Sequence, residues 1–232
     1  MQQIVPRVAE PYRVYGMTSD IYDACASQAD YTISEKARKD GTLEVMEDGE
    51  EIGTGTTMWH TEFQLPATFS TWSHVTMLHL WLITVRMRCL DKDDYQTWQK
   101  QLMDHFFYGA ETKMEVTHDL HSGAIRQRYL KDLFLQWRGA LLSYDYGLAT
   151  DDAALAAAVW RNVFRAKEDI DVRQLAAVVS WMRLCLRQLG EMNDDEFLGR
   201  ADLVFKNRAA WELLVVDQPV PELEAVLGKS KQ

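Results

Sequence analysis

Glu115 and His118 stand at the spacing of one half of a carboxylate-bridged di-iron site, and His121 lies three residues beyond. Such a site needs a second Glu-x-x-His and two further glutamates on facing helices, and the sequence holds no second copy. A helical metalloenzyme built on Glu115, His118 and His121 is therefore the alternative reading, against a plain helix-end cluster of polar groups. His74 and His79 are five apart, which turns them roughly 140° from each other on an α-helix. They cannot share a metal from one helix, and each is expected to be a hydrogen-bonded histidine in or beside the core. Gly53-Thr54-Gly55 opens like a dinucleotide fingerprint, but Met58 replaces the third glycine. Glu47, Asp48, Glu50 and Glu51 just before it would repel a pyrophosphate, so a flexible turn is expected. Ser143-Tyr144-Asp145 lacks a nucleophile elbow and has no histidine near it in sequence. Cys89, beside Arg86 and Arg88, has cationic neighbours that lower a thiol pKa, yet its place at the end of an apolar helix favours an inert thiol. No catalytic, metal or cofactor-binding residue is assigned, and no cofactor is expected.

The elements that must hold these residues are helical. With 232 residues, 47% hydrophobic and 26% charged, the chain is long enough for one large core. Five prolines and twelve glycines leave room for long helices. Cys25, Cys89 and Cys185 are dispersed and odd in number, which argues against a disulfide scaffold and for a reducing compartment. Val75 to Val85 is the longest apolar run; at 11 residues it is too short to cross a bilayer and reads as a buried helix. Asp91 is expected to cap a helix carrying Tyr95, Trp98, Leu102 and Phe106 until Gly109. Gly123 to Tyr144 places Ile125, Tyr129, Leu133, Trp137, Leu141 and Tyr144 on one stripe. Thr150 is expected to cap a helix over Ala153–Phe164, and Asp171 one with Val172, Leu175, Val179, Met182, Leu186 and Leu189 as its stripe until Gly190. Val178, Trp181 and Cys185 form a second apolar line on that last helix. Tyr12 to Tyr31 reads as a short helix around Ile21, Cys25 and Ala29, starting near Ser19 or Asp20. Lys36 to Thr57 is polar, acidic and glycine-rich, and reads as a loop or mobile linker. Pro219 and Pro221 punctuate a tail.

The net charge of −10 disfavours bare nucleic acid as a ligand, but it is unevenly spread. Residues 40–62 and 191–224 are strongly acidic, and the middle of the chain is mildly basic. Arg126, Arg128, Lys131 and Arg138 lie outside the apolar stripe of their helix and form a basic ridge, suited to ribosome or acidic-partner contact or else a plain solvated face. Tryptophans and arginines also interleave: Trp72, Trp81, Arg86 and Arg88, then Trp137 with Arg138, and Trp160 with Arg161. Core packing is the ordinary use of such rings; the alternative is a set of recognition anchors. On that alternative, Trp72, Trp81, Tyr144 and Trp160 form an apolar platform, with Asp145, Asp151 and Asp152 as polar rim or as turn and cap residues. The first sixteen residues show neither a signal-peptide core nor an Arg-rich transit pattern. They suit a cytosolic protein or a form from which a targeting segment is missing.

Leu65-Pro66, Thr68-Phe69-Ser70-Thr71-Trp72, Leu78-His79-Leu80-Trp81 and Val85-Arg86-Met87-Arg88 resemble the opening of the ubiquinol–cytochrome c chaperone family. The resemblance continues through Tyr129-Leu130-Lys131-Asp132, Arg138-Gly139-Ala140, Ser143-Tyr144-Asp145, Gly147-Leu148, Asp151-Asp152, Leu155-Ala156 and Trp160-Arg161-Asn162 with Phe164. It covers Pro66 to about Gly199 and is strongest to the mitochondrial branch. It implies an all-α assembly factor for the respiratory bc1 complex, a chaperone and not an enzyme. It further implies a heterodimer with a small second assembly factor, docking at the mitochondrial ribosome near the tunnel exit, and binding of newly made cytochrome b. Contact with cytochrome b mRNA would be indirect. The implied place is the matrix side of the inner membrane, peripherally bound. The mitochondrial branch also implies a transit sequence, which these first residues do not show.

The expected architecture is thus a single all-α domain over 66–199, preceded by a short helix and acidic linker in 1–65 and followed by a peripheral extension in 200–232. Its expected partner-binding residues are Trp72, Trp81, Arg126, Arg128, Lys131, Arg138, Tyr144, Asp145, Trp160 and Arg161.

Overall fold

A computed structural model describes residues 10–218. The opening nine residues and the tail with Pro219 and Pro221 lie outside the described residues. The fold is all-α, with ten helices and no strand among the described residues. They are α1 (Glu10–Ala26), α2 (Glu35–Lys39), α3 (Met58–Thr61), α4 (Phe69–Met87), α5 (Lys92–Val116), α6 (Gly123–Thr150), α7 (Asp152–Asn162), α8 (Val172–Glu191), α9 (Asp194–Arg200) and α10 (Glu212–Val216).

The apolar run is the axis of the molecule. Thr68 caps α4 by accepting from the Thr71 N–H at 3.3 Å, and fifteen of its nineteen residues are buried. A helix apolar on every side must be covered on every side; α1, α5, α6 and α8 all contact it. Its buried Thr76, Thr84 and His79 Nδ1 bond back within the helix. Thr76 and Thr84 donate to the carbonyls of Trp72 and Leu80 at 2.7 and 2.8 Å. His79 donates from Nδ1 to Val75 O at 2.7 Å and packs against Trp59, Trp181 and Phe205.

The flanks belong to the same core. Val14, Ile21 and Cys25 of α1 and Val204, Phe205 and Ala209 near the C-terminus join one hydrophobic cluster with α4. α1 begins at Glu10 rather than beside Ser19, because its buried side chains begin at Val14. α5 runs past Gly109 to Val116. That glycine does not end the helix: a Cβ there would sit 1.8 Å from the Tyr22 hydroxyl, so its absence admits α1. α6 likewise continues to Thr150, and the cap of α7 is Asp151, whose side chain accepts from Ala154 N at 2.7 Å. A one-residue turn thus folds α7 back on α6. Gly147 makes the close crossing possible, since a Cβ there would lie 2.6 Å from Leu155 Cα. Asp171 caps α8 as expected, but Val172 is exposed and Val178, Trp181 and Cys185 face the core.

Of the segment 36–57 expected as a loop or mobile linker, 36–39 belong to α2, and the acidic remainder holds no long element, yet it is fastened. Isolated bridges pair Thr32 with Thr54 and Val45 with Glu51. Gly53 and Gly55 are glycines because Thr32 O and the His60 ring lie where a Cβ would stand, at 2.3 and 2.1 Å. The would-be nucleotide motif is a packing motif.

Three outcomes test this arrangement. Gly147→Ala should destabilise by about 1–2 kcal/mol in chemical denaturation, overpacking against the Leu155 backbone outweighing the propensity gain. Gly139→Ala, on the same helix with open space around it, should stabilise by about 0.5–1 kcal/mol. Burial pushes the His79 imidazole down to about 4. Between that value and the ordinary 6.5 the unfolded chain binds the extra proton, so stability is whole above pH 6.5 and falls with acidification. His79→Gln should flatten the loss between pH 7 and 5 by about 2 kcal/mol.

Candidate functional site

The expected site residues separate into interior and surface groups. Trp72, Trp81 and Tyr144 are 2%, 0% and 0% exposed, so the four-ring platform does not exist at the surface. Trp72 donates to Ala26 O at 3.0 Å, anchoring the end of α1. Trp81 donates to Asp145 at 2.9 Å, and Arg88 grips the same carboxylate through two bonds of 2.8 and 2.9 Å. Asp145 is therefore a clamp between α4 and α6, with its charge already matched. Trp160 alone of the four is half-buried, donating to Lys167 O at 2.7 Å beside an alanine-lined groove between α7 and α8. Arg161 is exposed next to it.

Arg126 leaves the ridge as well. Its side chain is 13% exposed, donates to Leu120 O and His121 O at 2.9 Å each, and pairs with Glu111 and Glu115. It closes the turn between α5 and α6. Arg128, Lys131 and Arg138 are exposed.

The metal alternative fails on the same geometry. α5 ends at Val116, so His118 and His121 are not on the helix of Glu115. Glu115 turns to Arg126, His121 pairs with Asp119, and His118 donates from Nδ1 to Glu51 Oε2 at 2.8 Å while its Nε2 accepts from the Tyr31 hydroxyl at 2.5 Å. No group of three or more candidate ligands converges among the described residues. Desolvation lowers the His118 pKa against the opposing pull of Glu51. Glu51, gripped also by Arg38 at 2.9 and 2.8 Å, stays below the ordinary carboxylate range despite its own burial. These four side chains latch the acidic segment to the end of α5. Cys89 is exposed, not buried at a helix end. Its flanking Arg86 is spent on Leu189 O, Met192 O and Asp194, and Arg88 on Asp145.

What the surface does present is the outer face of α6. Its buried residues Leu133, Trp137, Ala140, Tyr144 and Gly147 share one side. At 100° per residue, Arg128, Lys131, Leu135, Arg138, Leu142 and Tyr146 fall within about 80° on the opposite side. Leu135, Leu142 and Tyr146 are 63%, 71% and 63% exposed. Cations and apolar side chains thus alternate along a convex ridge about 27 Å long. Asp132 sits only at its edge, and Asp145 is neutralised by Arg88. A shallow cleft lined by Phe107, Leu130, Phe134 and Leu135 runs beside it. Reasoning from sequence missed Leu135, Leu142 and Tyr146. The stripe from Ile125 to Leu141 was stepped by four, and each such step drifts 40° round the helix. It therefore starts on solvent, with Ile125 and Tyr129 half-exposed, and only the extension to Thr150 brings Tyr146 into line.

Residues 61–202, well over half the chain, match the family described as Ubiquinol-cytochrome C chaperone. The chain belongs to that family. Protein CBP3, mitochondrial, of Saccharomyces cerevisiae is 40% identical over 139 residues, covering 60% of this chain and 42% of the yeast protein. Ubiquinol-cytochrome c reductase complex assembly factor 1 of Mus musculus is 30% identical over 158 residues, covering 67% of this chain and 50% of the mouse protein. The chain therefore spans about half the length of these relatives. The crystal structure of the Cbp3 homolog from Brucella abortus superposes with a TM-score of 0.60 at 18% identity, over 82% of this chain and 90% of that one. At that identity the likeness speaks for the fold, and it extends beyond 61–202 to the flanks that complete the core of this chaperone-family chain. No helix among the described residues is long and apolar enough to cross a membrane.

Replacing Glu51 by Gln tests the latch. Amides held by Ile52 N–H to Glu44 O and Thr54 N–H to Thr32 O should exchange about 5–30-fold faster, equivalent to about 1–2 kcal/mol. Exchange in the middle of α4 should be unchanged.

Proposed function

We propose that this chain is an assembly factor of the ubiquinol–cytochrome c reductase complex that binds newly made cytochrome b and carries no enzymatic activity. In this reading it works in the mitochondrion, peripheral to the matrix side of the inner membrane. It pairs with a small second assembly factor and docks at the mitochondrial ribosome near the tunnel exit, meeting cytochrome b mRNA only through the ribosome. The name of the mouse relative supplies the complex and that of the yeast relative the compartment. The outer face of α6 is the observation that supports binding over turnover. An apolar client needs exposed apolar area on its holder until it is inserted, which Leu135, Leu142 and Tyr146 offer. Arg128, Lys131 and Arg138 add the cations that an anionic ribosomal surface attracts. The converging titratable groups of a reaction centre are not what this face presents.

The two roles of the face can be read separately. With Arg128→Glu, Lys131→Glu and Arg138→Glu combined, co-sedimentation with mitochondrial ribosomes at low salt should fall at least tenfold. With a photo-crosslinker at Leu142, the adduct from translating mitochondria should contain cytochrome b, and Leu135→Ser with Tyr146→Ser should reduce it. Unchanged co-sedimentation removes the ribosomal role, and an adduct without cytochrome b removes the client role.

A further inference from the structure

A second surface lies on the other side of the core, between α1 and α5. It is an open groove of about 620 Å³ whose floor includes His105 and Trp72. One end of it is already filled by a cation. The Lys113 ammonium lies 4.6 Å from the centre of the Tyr31 ring and 5.2 Å from that of Trp72, and pairs with Asp30 at 2.6 Å. Two aromatic faces and one carboxylate hold it.

The other end also carries aromatic rings and a carboxylate, but no lysine or arginine among the described residues. Tyr15 and Tyr22 flank the His105 ring at 4.7 and 6.2 Å, and Tyr108 rises 74% exposed on the facing helix. Asp23 follows Tyr22, lines the groove, is exposed, and makes no ion pair among the described residues. Among the described residues Lys113 is the one lysine or arginine lining the groove, and Asp30 already takes it. Gly109 leaves the space in which the Tyr22 hydroxyl sits. An ammonium or guanidinium over tyrosine faces with a carboxylate beside it is a favourable arrangement. The filled end shows that this chain builds it.

We infer that the open end of the α1/α5 groove is a docking site for a basic, amphipathic segment of a partner protein. One Lys or Arg of that segment lies against the exposed rings of Tyr15 and Tyr108, outside the His105 ring, with Asp23 as its counter-ion. A peptide fits better than a small cation because the groove is lined along its length. Tyr15 to Ala26 spans about 16 Å, and Tyr15, Tyr108 and Val116, at 57%, 74% and 75% exposed, lend apolar area to it. Tyrosines supply such area with little side-chain freedom to lose. Helix-in-groove recognition uses this combination of apolar anchors and charge. The site is independent of the α6 face: its charge is opposite, so the two surfaces select different chemistry.

The probe is a fluorescein-labelled 18-residue amphipathic helical peptide of Leu, Ala and Lys, titrated with the full chain at physiological salt and followed by anisotropy. Asp23→Asn and Tyr108→Ala, both at exposed positions and each verified by an unchanged melting curve, should weaken binding about fivefold or more. Glu168→Gln, an exposed acid outside the groove, should change it less than twofold. The same peptide with Glu for Lys should not bind. Equal weakening by Glu168→Gln, or no weakening by Asp23→Asn, reduces the attraction to the overall negative charge and overturns the proposal. Self-association of the chain that Asp23→Asn abolishes would assign the groove to a second copy, and overturns it as well.

Discussion

The structure depends on taking α4 wholly out of water. A nineteen-residue helix with fifteen buried residues has no side on which solvent is tolerated, so its neighbours must surround it. That requirement explains why α1 and the C-terminal turns share one core with the central helices. It also explains the chemistry of the interior. Polar groups on α4 have little access to water, so threonines bond back to carbonyls four residues earlier and His79 stays neutral among aromatic rings. These groups are bound to backbone carbonyls rather than arranged around a cavity, which suits a scaffold.

Charge is handled in the same economical way. Arg86, Arg88, Arg126, Arg38 and Lys113 look from sequence like a reservoir of surface cations. In the fold each one fastens two elements: Arg86 joins α4 to α8 and α9, Arg88 joins α4 to α6, and Arg126 closes the turn before α6. Arg38 and Lys113 secure the acidic segment and the end of α1. Among the described residues, Arg128, Lys131 and Arg138 stay exposed and without an ion pair together on one face of α6. Subtracting the committed charges is what makes the α6 ridge distinct from the rest of an acidic protein.

Helix α6 then has two unlike sides for one physical reason. Its inner side is fixed by the approach of α7, which Gly147 allows to within backbone contact, and by the Trp81–Asp145–Arg88 clamp. Its outer side has no neighbour among the described residues along Leu135, Leu142 and Tyr146. The proposed role of holding an apolar client needs a rigid element that offers apolar surface without collapsing onto it. A long helix pinned along its opposite edge meets that need.

The sequence by itself determined the helical class, the buried Val75–Val85 run and the cap at Asp171. It also carried the family resemblance, because periodicity, capping chemistry and separated motifs are local or linear properties. It could not say which tryptophans were interior, since a ring beside an arginine reads alike whether it packs or recognises. Only the packing of α1, α5, α6 and α8 around α4 buried Trp72, Trp81 and Tyr144. Nor could it say where Gly109 and Gly147 acted, because a glycine's lack of a Cβ signals a helix end or a helix crossing equally well until the partner helix is in place. Tertiary structure decided which charges were already answered and which faces were left uncovered, and those two facts depend on residues far apart in the chain.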